Sequence, residues 1–187
     1  MKDISLHLLD IVQNSLTADA KKVTISLKVI DNNWIEITVM DNGKGMDKET
    51  LDKAVDPFST SRKTRKVGLG IPLFKASSQR SGGEFFINSV KGKGTDIKAS
   101  YSISSIDRPP LGDIGETIAC LILMAPLVEL EVDLVKDEEI FKLNTIDLKE
   151  RLGEVPLDNS EVITWIKEYI NENVNKMFGG VLNEIIG

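Results

Sequence analysis

An alternating run, Trp34-Ile35-Glu36-Ile37-Thr38-Val39-Met40, leads directly into Asp41-Asn42-Gly43-Lys44-Gly45-Met46. Apolar Ile35, Ile37 and Val39 recur at every second residue, the period of a strand with one face in a core. Such a strand delivers a single carboxylate to its own end and a glycine turn beyond it. A carboxylate there can accept a hydrogen bond from an exocyclic amine. Gly43 and Gly45 lack the Cβ that would hold a flat ring away from the backbone. Asp-Asn-Gly is also an ordinary turn, so the stretch takes its meaning from what accompanies it.

Residues 3–20 read as a helix. Ile4, Leu8, Ile11, Val12 and Ser15 make one mostly apolar side, and His7, Asp10 and Asn14 share another. Lys22–Ile30 is a strand with Val23, Ile25, Leu27 and Val29 on one face, and Asp31-Asn32-Asn33 turns into the second strand. A short helix runs from an Asp47 cap to Val55. Pro57–Val67 reads as loop, and Gly68-Leu69-Gly70 opens a third helix with Pro72 in its first turn. Gly82-Gly83 ends it, and Glu84–Val90 and Thr95–Ile103 form a hairpin around Lys91-Gly92-Lys93-Gly94. This order predicts an α/β (α+β) two-layer sandwich: a mixed, mostly antiparallel sheet with its helices gathered on one face.

Asp107-Arg108-Pro109-Pro110-Leu111-Gly112 marks a boundary between residues 1–106 and a small α/β C-terminal segment, 107–187. The segment reads as a helix (about Leu111–Ala125), strands Val128–Val135 and Glu139–Asn144, a short helix (about Asp147–Leu152) and a long one (about Asn159–Ile186) capped by Asn159 or Ser160. Val162, Ile163, Ile166, Ile170, Val174 and Met177 form an apolar stripe on the last helix, flanked by Trp165 and Tyr169. Packing on the chain's own core explains the stripe; a homodimer or partner surface is the alternative.

Charge divides at the same place. Residues 1–106 carry 16 Lys and Arg against 12 Asp and Glu, a net +4, and residues 107–187 carry 7 against 17, a net −10. A positive front half suits a polyanionic small ligand, and the acidic rear half argues against nucleic acid as a partner. No apolar run reaches membrane-spanning length; Ile114–Val128, the densest, is broken by Glu116 and Pro126. Cys120 is the only cysteine, which excludes disulfides and a cysteine-rich zinc site, and it reads as a buried structural thiol. With no signal-peptide layout at the N-terminus, a reducing cytoplasm is the expected compartment.

Three further elements carry chemistry. Asp10 and Asn14 are four residues apart, so their side chains project together. An Asn carbonyl oxygen is a hard, neutral ligand suited to Mg²⁺, and a carboxylate one turn earlier can orient or deprotonate a water. Pro57-Phe58-Ser59-Thr60-Ser61 and the basic Arg62, Lys63, Arg65 and Lys66 lead to Gly68-Leu69-Gly70 at a helix start, a pattern suited to phosphates. Gly92-Lys93-Gly94-Thr95 is a hairpin turn that also sets a hydroxyl, Thr95, near the strand carrying Asp41.

Together these elements resemble the GHKL superfamily of ATPases: type II topoisomerases, heat-shock chaperones, histidine kinases and MutL mismatch-repair proteins. The resemblance covers roughly residues 3–104 and implies the Bergerat-type ATP-binding fold. Asp10–Leu16 looks like the N box, Asp41–Gly45 the first glycine box, Pro57–Thr60 the start of the lid, and Gly68-Leu69-Gly70 with Gly94-Thr95 the later boxes. It implies ATP and Mg²⁺ as ligands. Asp41 pairs with the adenine amine, Asn14 holds Mg²⁺, and Gly68 and Gly70 line the phosphates. Gly43, Gly45, Met46, Leu69 and Thr95 complete the nucleotide site. Lys63 or Arg62 contacts the γ-phosphate.

Hydrolytic members typically carry Glu where this chain has Asp10. The side chain is one methylene shorter, and a misplacement of about 1 Å can cost on the order of 10²-fold in rate, so hydrolysis is expected to be slow. Histidine kinases place a phosphoacceptor His on a helical domain ahead of the ATPase unit. Only six residues precede His7, which reads as a partly buried helix histidine. Residues 107–187 look similar to the tail of small stand-alone bacterial GHKL proteins. The expected function is a protein kinase or regulator that moves the γ-phosphate to Ser, Thr or His of a separate protein. An ATP-gated binding module or slow ATPase is the alternative, and an ATPase cycling by dimerisation the most remote.

Overall fold

The computed structural model describes residues 3–56 and 69–182. Expectations placed on residues 57–68, including Arg62, Lys63 and Gly68, and on the last helix beyond Leu182 lie outside the described residues.

Helix α1 spans Ile4–Thr17, and Asp3 caps it by accepting from the Leu6 N–H at 2.9 Å. Its stripe of Ile4, Leu8, Ile11 and Val12 is fully buried, as the spacing predicts. Strand β1 is Lys22–Ile30 and β2 is Trp34–Asp41. Their turn places Asp31 and Asn32 at φ +52° and +53°, a conformation that short polar side chains tolerate. Helix α2 (Lys48–Val55) starts at the expected Asp47 cap, and α3 is Gly70–Arg80. Strands β3 (Phe85–Val90) and β4 (Gly94–Ser102) form the predicted hairpin.

After the Pro109-Pro110 strap come α4 (Ile114–Met124), β5 (Glu129–Lys136), β6 (Glu139–Asn144), α5 (Thr145–Leu152) and α6 (Ser160–Leu182). Two of these helices begin away from their expected starts because a cap decides the first turn. Asp113 accepts from Glu116 N–H at 2.7 Å, which starts α4 at Ile114, and Asn144 accepts from Ile146 N–H at 2.7 Å, which starts α5 at Thr145. Asn159 accepts from the Glu161 N–H at 2.9 Å at the start of α6.

The six strands make one mixed sheet in the order β3-β4-β2-β1-β5-β6. All neighbours are antiparallel except β1 and β5, which run parallel from Lys22 opposite Glu129 to Val29 opposite Lys136. The acidic rear of the chain thus extends the same sheet past β1 with two strands. Lys22 Nζ ties the two halves, 2.9 Å from Glu129 and 2.9 Å from Glu131, and these carboxylates push its pKa up to about 12. Val23, Ile25 and Leu27, Ile35 and Ile37, and Val132 and Leu134 face one core, closed by α1, α3, α4 and α6. Ile114 and Ile118 of α4 and Ile166, Ile170 and Phe178 of α6 are fully buried there. Trp165 and Tyr169 stack on each other, centroids 4.8 Å apart, and stay half exposed. Cys120 is half-buried rather than buried, because it sits beside Glu116 on the outer side of α4. Among the described residues no helix is long and apolar enough to cross a membrane.

Cutting the chain after residue 106 would strip β1 of its parallel partner and uncover α1 where α4 packs. Such a fragment is expected to lose cooperative thermal unfolding and to self-associate through the bared edge of β1. Calorimetry with size-exclusion chromatography checks this, and a cooperative, monomeric fragment would refute it.

Candidate functional site: a cleft between the first helix and the end of the second strand

Several elements meet at one cleft of about 290 Å³. Helix α1 contributes Ile11, Asn14 and Ser15, the end of β2 Asp41, and the following turn Lys44, Gly45 and Met46. Thr50 and Ala54 come from α2, Ile71 from α3, and Thr95 and Ile97 from β4.

Asp41 stands at the floor because β2 ends there, opposite Val23 on one side and Thr95 on the other. The Ser15 hydroxyl donates to Oδ2 at 2.6 Å, and the Gly43 N–H donates to Oδ1 at 2.8 Å. Each carboxylate oxygen keeps capacity to accept one bond more. The carboxylate is therefore held in one orientation and still available to a donor in the cleft. Beside it, Thr95 Oγ1 lies 2.9 Å from Ser89 Oγ, which also accepts from the Met46 N–H at 2.8 Å. These bonds fasten the glycine turn to the β3–β4 hairpin.

Close approach requires glycine at Gly45, and Gly70 packs tightly on the first helix. Gly45 has φ +59°, and a Cβ there would lie 2.1 Å from the Val90 carbonyl oxygen. Its demand comes from the hairpin behind the turn. Gly70 opens α3 against α1, where a Cβ would come 3.1 Å from Asp10 Cβ and 3.7 Å from Asn14 Nδ2. Gly70 thus brings the start of α3 up to the Asp10–Asn14 pair. The N-cap of α3, Leu69, makes no side-chain cap hydrogen bond. The first N–H groups of that helix, at the positive end of its dipole, have no side-chain acceptor among the described residues.

Burial raises the pKa of Asp10, which makes its carboxylate a better proton acceptor than an exposed one. The Asn14 side chain has no hydrogen-bond partner among the described residues, and it faces the cleft. Its carbonyl oxygen is the kind of neutral, hard donor that suits Mg²⁺. Apolar Ile11, Met46, Ala54, Ile71 and Ile97 supply walls for a flat ring, while Asp41 and Thr95 supply polar partners. Cleft, unpartnered amide and uncapped helix start together fit a nucleotide with a divalent cation.

Of the residues singled out from the sequence, Asn14, Asp41, Gly45, Met46 and Thr95 line the cleft together, and Asp10 and Gly70 meet at its edge. Gly43 sits behind Asp41, packed against Ala18, and Leu69 is exposed outside the lining. Ser15 and Ser89 were not anticipated. Ser15 interrupts the apolar stripe of α1, and a hydroxyl among buried aliphatics signals a required partner. Ser89 carried no such sign, since the Met46 N–H that its hydroxyl accepts from lies 43 residues away in sequence.

The match to the family model for histidine kinase-, DNA gyrase B- and HSP90-like ATPases covers residues 2–104, more than half of the chain. The chain belongs to that family, and ATP binding is what the family implies for it. Sporulation kinase D of Bacillus subtilis is 35% identical over 100 residues, covering 52% of this chain and 19% of that protein. A putative sensor protein of Shewanella frigidimarina is 33% identical over 105 residues, covering 54% of this chain and 16% of that one. The chain therefore spans under a fifth of these relatives' length. A solved N-terminal domain of a DNA repair protein shares the fold, with a TM-score of 0.50 and 14% identity over 77% of this chain and 52% of that one.

His7 lies one turn before the site, 3% exposed, its ring 5.7 Å from Phe74 and its Nδ1 unpartnered. Burial lowers its pKa from 6.5 to about 4, so the folded imidazole stays neutral where the unfolded one is charged. Between those two values the unfolded state binds the extra proton. Stability should then fall by about 1.4 kcal/mol per pH unit as pH drops from 6.5 toward 4. Urea unfolding of wild type and His7→Leu across that range is expected to show this slope in the difference between their stabilities, with no pH dependence of that difference above pH 6.5.

Proposed function

We propose that the cleft binds ATP together with Mg²⁺ and that the chain supports transfer of the γ-phosphate to a side chain of a separate protein. The carrying observation is Asp41: a carboxylate fixed by Ser15 and Gly43 at the floor of a cleft whose other end meets an uncapped helix start. Asp41 accepts from the exocyclic amine of adenine, the apolar walls take the ring, and Thr95 adds a hydroxyl. Asn14 holds the metal ion. Gly70 and the first turn of α3, which Leu69 precedes, receive the phosphates, with Gly45, Met46, Gly68 and Lys63 or Arg62 completing the site and Gly43 supporting Asp41 from behind. The metal, when bound, neutralises charge on the phosphate oxygens.

Asp10 lies at the edge where Gly70 meets α1, and burial makes it more basic. It takes the proton released when an acceptor hydroxyl or imidazole attacks phosphorus and the bond between the γ-phosphorus and the bridging oxygen breaks, leaving ADP. The similarity to a sporulation kinase supports a kinase over an autonomous ATPase. A second reading, an ATP-gated binding module with little turnover, is favoured by the short Asp10 side chain. Equal affinity for a captured partner with and without ATP·Mg²⁺ would remove that reading, since a ligand shifts only states it binds differently.

Asp41→Asn replaces an acceptor by an amide carrying its own donors. Hydrogen bonds to charged groups are worth about 1.5–3 kcal/mol, so ATP should bind roughly ten- to a hundredfold more weakly by calorimetry. Unchanged affinity would refute the adenine assignment. For Asn14→Ala, the tightening of ATP binding by Mg²⁺ is expected to vanish, and its persistence in the same titration would refute that role.

A further inference from the structure

A second cavity, of about 300 Å³, shares no lining residue with the first. It lies between the strap of residues 108–112 and α6, walled by Leu111, Val174, Phe178 and Leu182. Arg108 also lines it and is only 7% exposed. Its Nε and Nη1 donate to the carbonyls of Ile103 and Pro109 at 3.4 and 3.3 Å, both long for such bonds. The Nη2 edge of the fork has no partner among the described residues. None of the ion pairs among them involves Arg108.

This is an anomaly of charge. Residues 107–187 carry 17 acidic side chains against 7 basic ones, yet the nearly buried cation at their start forms no ion pair with a carboxylate among the described residues. Taking a charge largely out of water is unfavourable without a counter-ion, and the free Nη2 edge leaves a place for an anion from the cavity. The strap is also preformed: Ile4 and Ser5 N–H groups donate to Pro110 and Leu111 carbonyls at 2.9 Å. A rigid wall lowers the ordering cost of a ligand.

We propose that this cavity is a binding site for a small amphipathic carboxylate, its head on Arg108 and its aliphatic or aromatic body against Val174, Phe178 and Leu182. The planar guanidinium matches a carboxylate's two oxygens. A dianion is disfavoured: among the described residues no second cation lines the cavity, and the nearby start of α4 is already capped by the Asp113 carboxylate. At about 300 Å³ the site stands at the low end for ligand pockets, which selects a short tail. The inference does not depend on the nucleotide reading, because it concerns a different cavity and is tested without nucleotide.

The test titrates hexanoate into the isotope-labelled full chain and follows backbone amide shifts. Saturable shifts confined to residues 108–112 and 174–182 are expected, with hexanol, acetate and inorganic phosphate each at least roughly tenfold weaker. Arg108→Met and, separately, Val174→Phe should weaken hexanoate to a similar extent while keeping the wild-type pattern of amide signals elsewhere. Equal binding of hexanol would make the cavity merely apolar, and preference for phosphate would make it an inorganic-anion site; either result overturns the proposal. So does an absence of saturable shifts in the wild type.

Discussion

The hydrogen bond from Ser15 to Asp41, 2.6 Å long, joins the helix layer to the end of the sheet. It crosses the boundary between the two layers at the point where the cleft opens. A charged hydrogen bond of this kind contributes about 1.5–3 kcal/mol. Its larger consequence is geometric: the Gly43 N–H takes the other carboxylate oxygen, so the side chain has one orientation relative to α1. Asn14, the neighbour of Ser15, inherits that registration. The distance between the floor of the cleft and the amide on α1 is thus set by the protein before any ligand arrives, which is the form of preorganisation a binding site needs.

Behind the cleft, the glycines do structural work that the ligand benefits from. Gly45 leaves room for the Val90 carbonyl, and Gly70 lets α3 press on Asp10 and Asn14. Close backbone packing and close ligand approach call for the same residue type, so a glycine in a motif does not by itself say which demand it meets. Here the hairpin accounts for Gly45 and the helix contact for Gly70.

The rear of the chain matters to the front through β1. That strand is central in the sheet only because β5 pairs with it, and α1 has a full apolar environment only because Ile114 and Ile118 of α4 are there. The composition shift at Asp107 is real, yet it marks a change in surface charge and does not interrupt the sheet. A strap of six residues with two prolines looks like a linker from sequence; its backbone carbonyls in fact hold the first turn of α1. Side-chain composition reports on solvent and partners, whereas strand pairing is made by backbone groups that composition does not encode.

Local patterns legible in the chain specified the elements: alternation made β1 and β2, the i, i+3, i+4 stripe made α1, and caps and glycines ended helices to within a few residues. The ordered boxes around Asn14, Asp41, Gly70 and Thr95 pointed to the family, and Asn14, Asp41 and Thr95 line one cleft with Gly70 near its edge. Tertiary structure alone decided that β5 lies parallel to β1, that Ser15 and Ser89 hold the site together, and that Arg108 is buried without an ion pair among the described residues. Each of these depends on groups far apart in sequence meeting through backbone pairing or burial, and no period or motif along the chain records which distant surface a given residue will face.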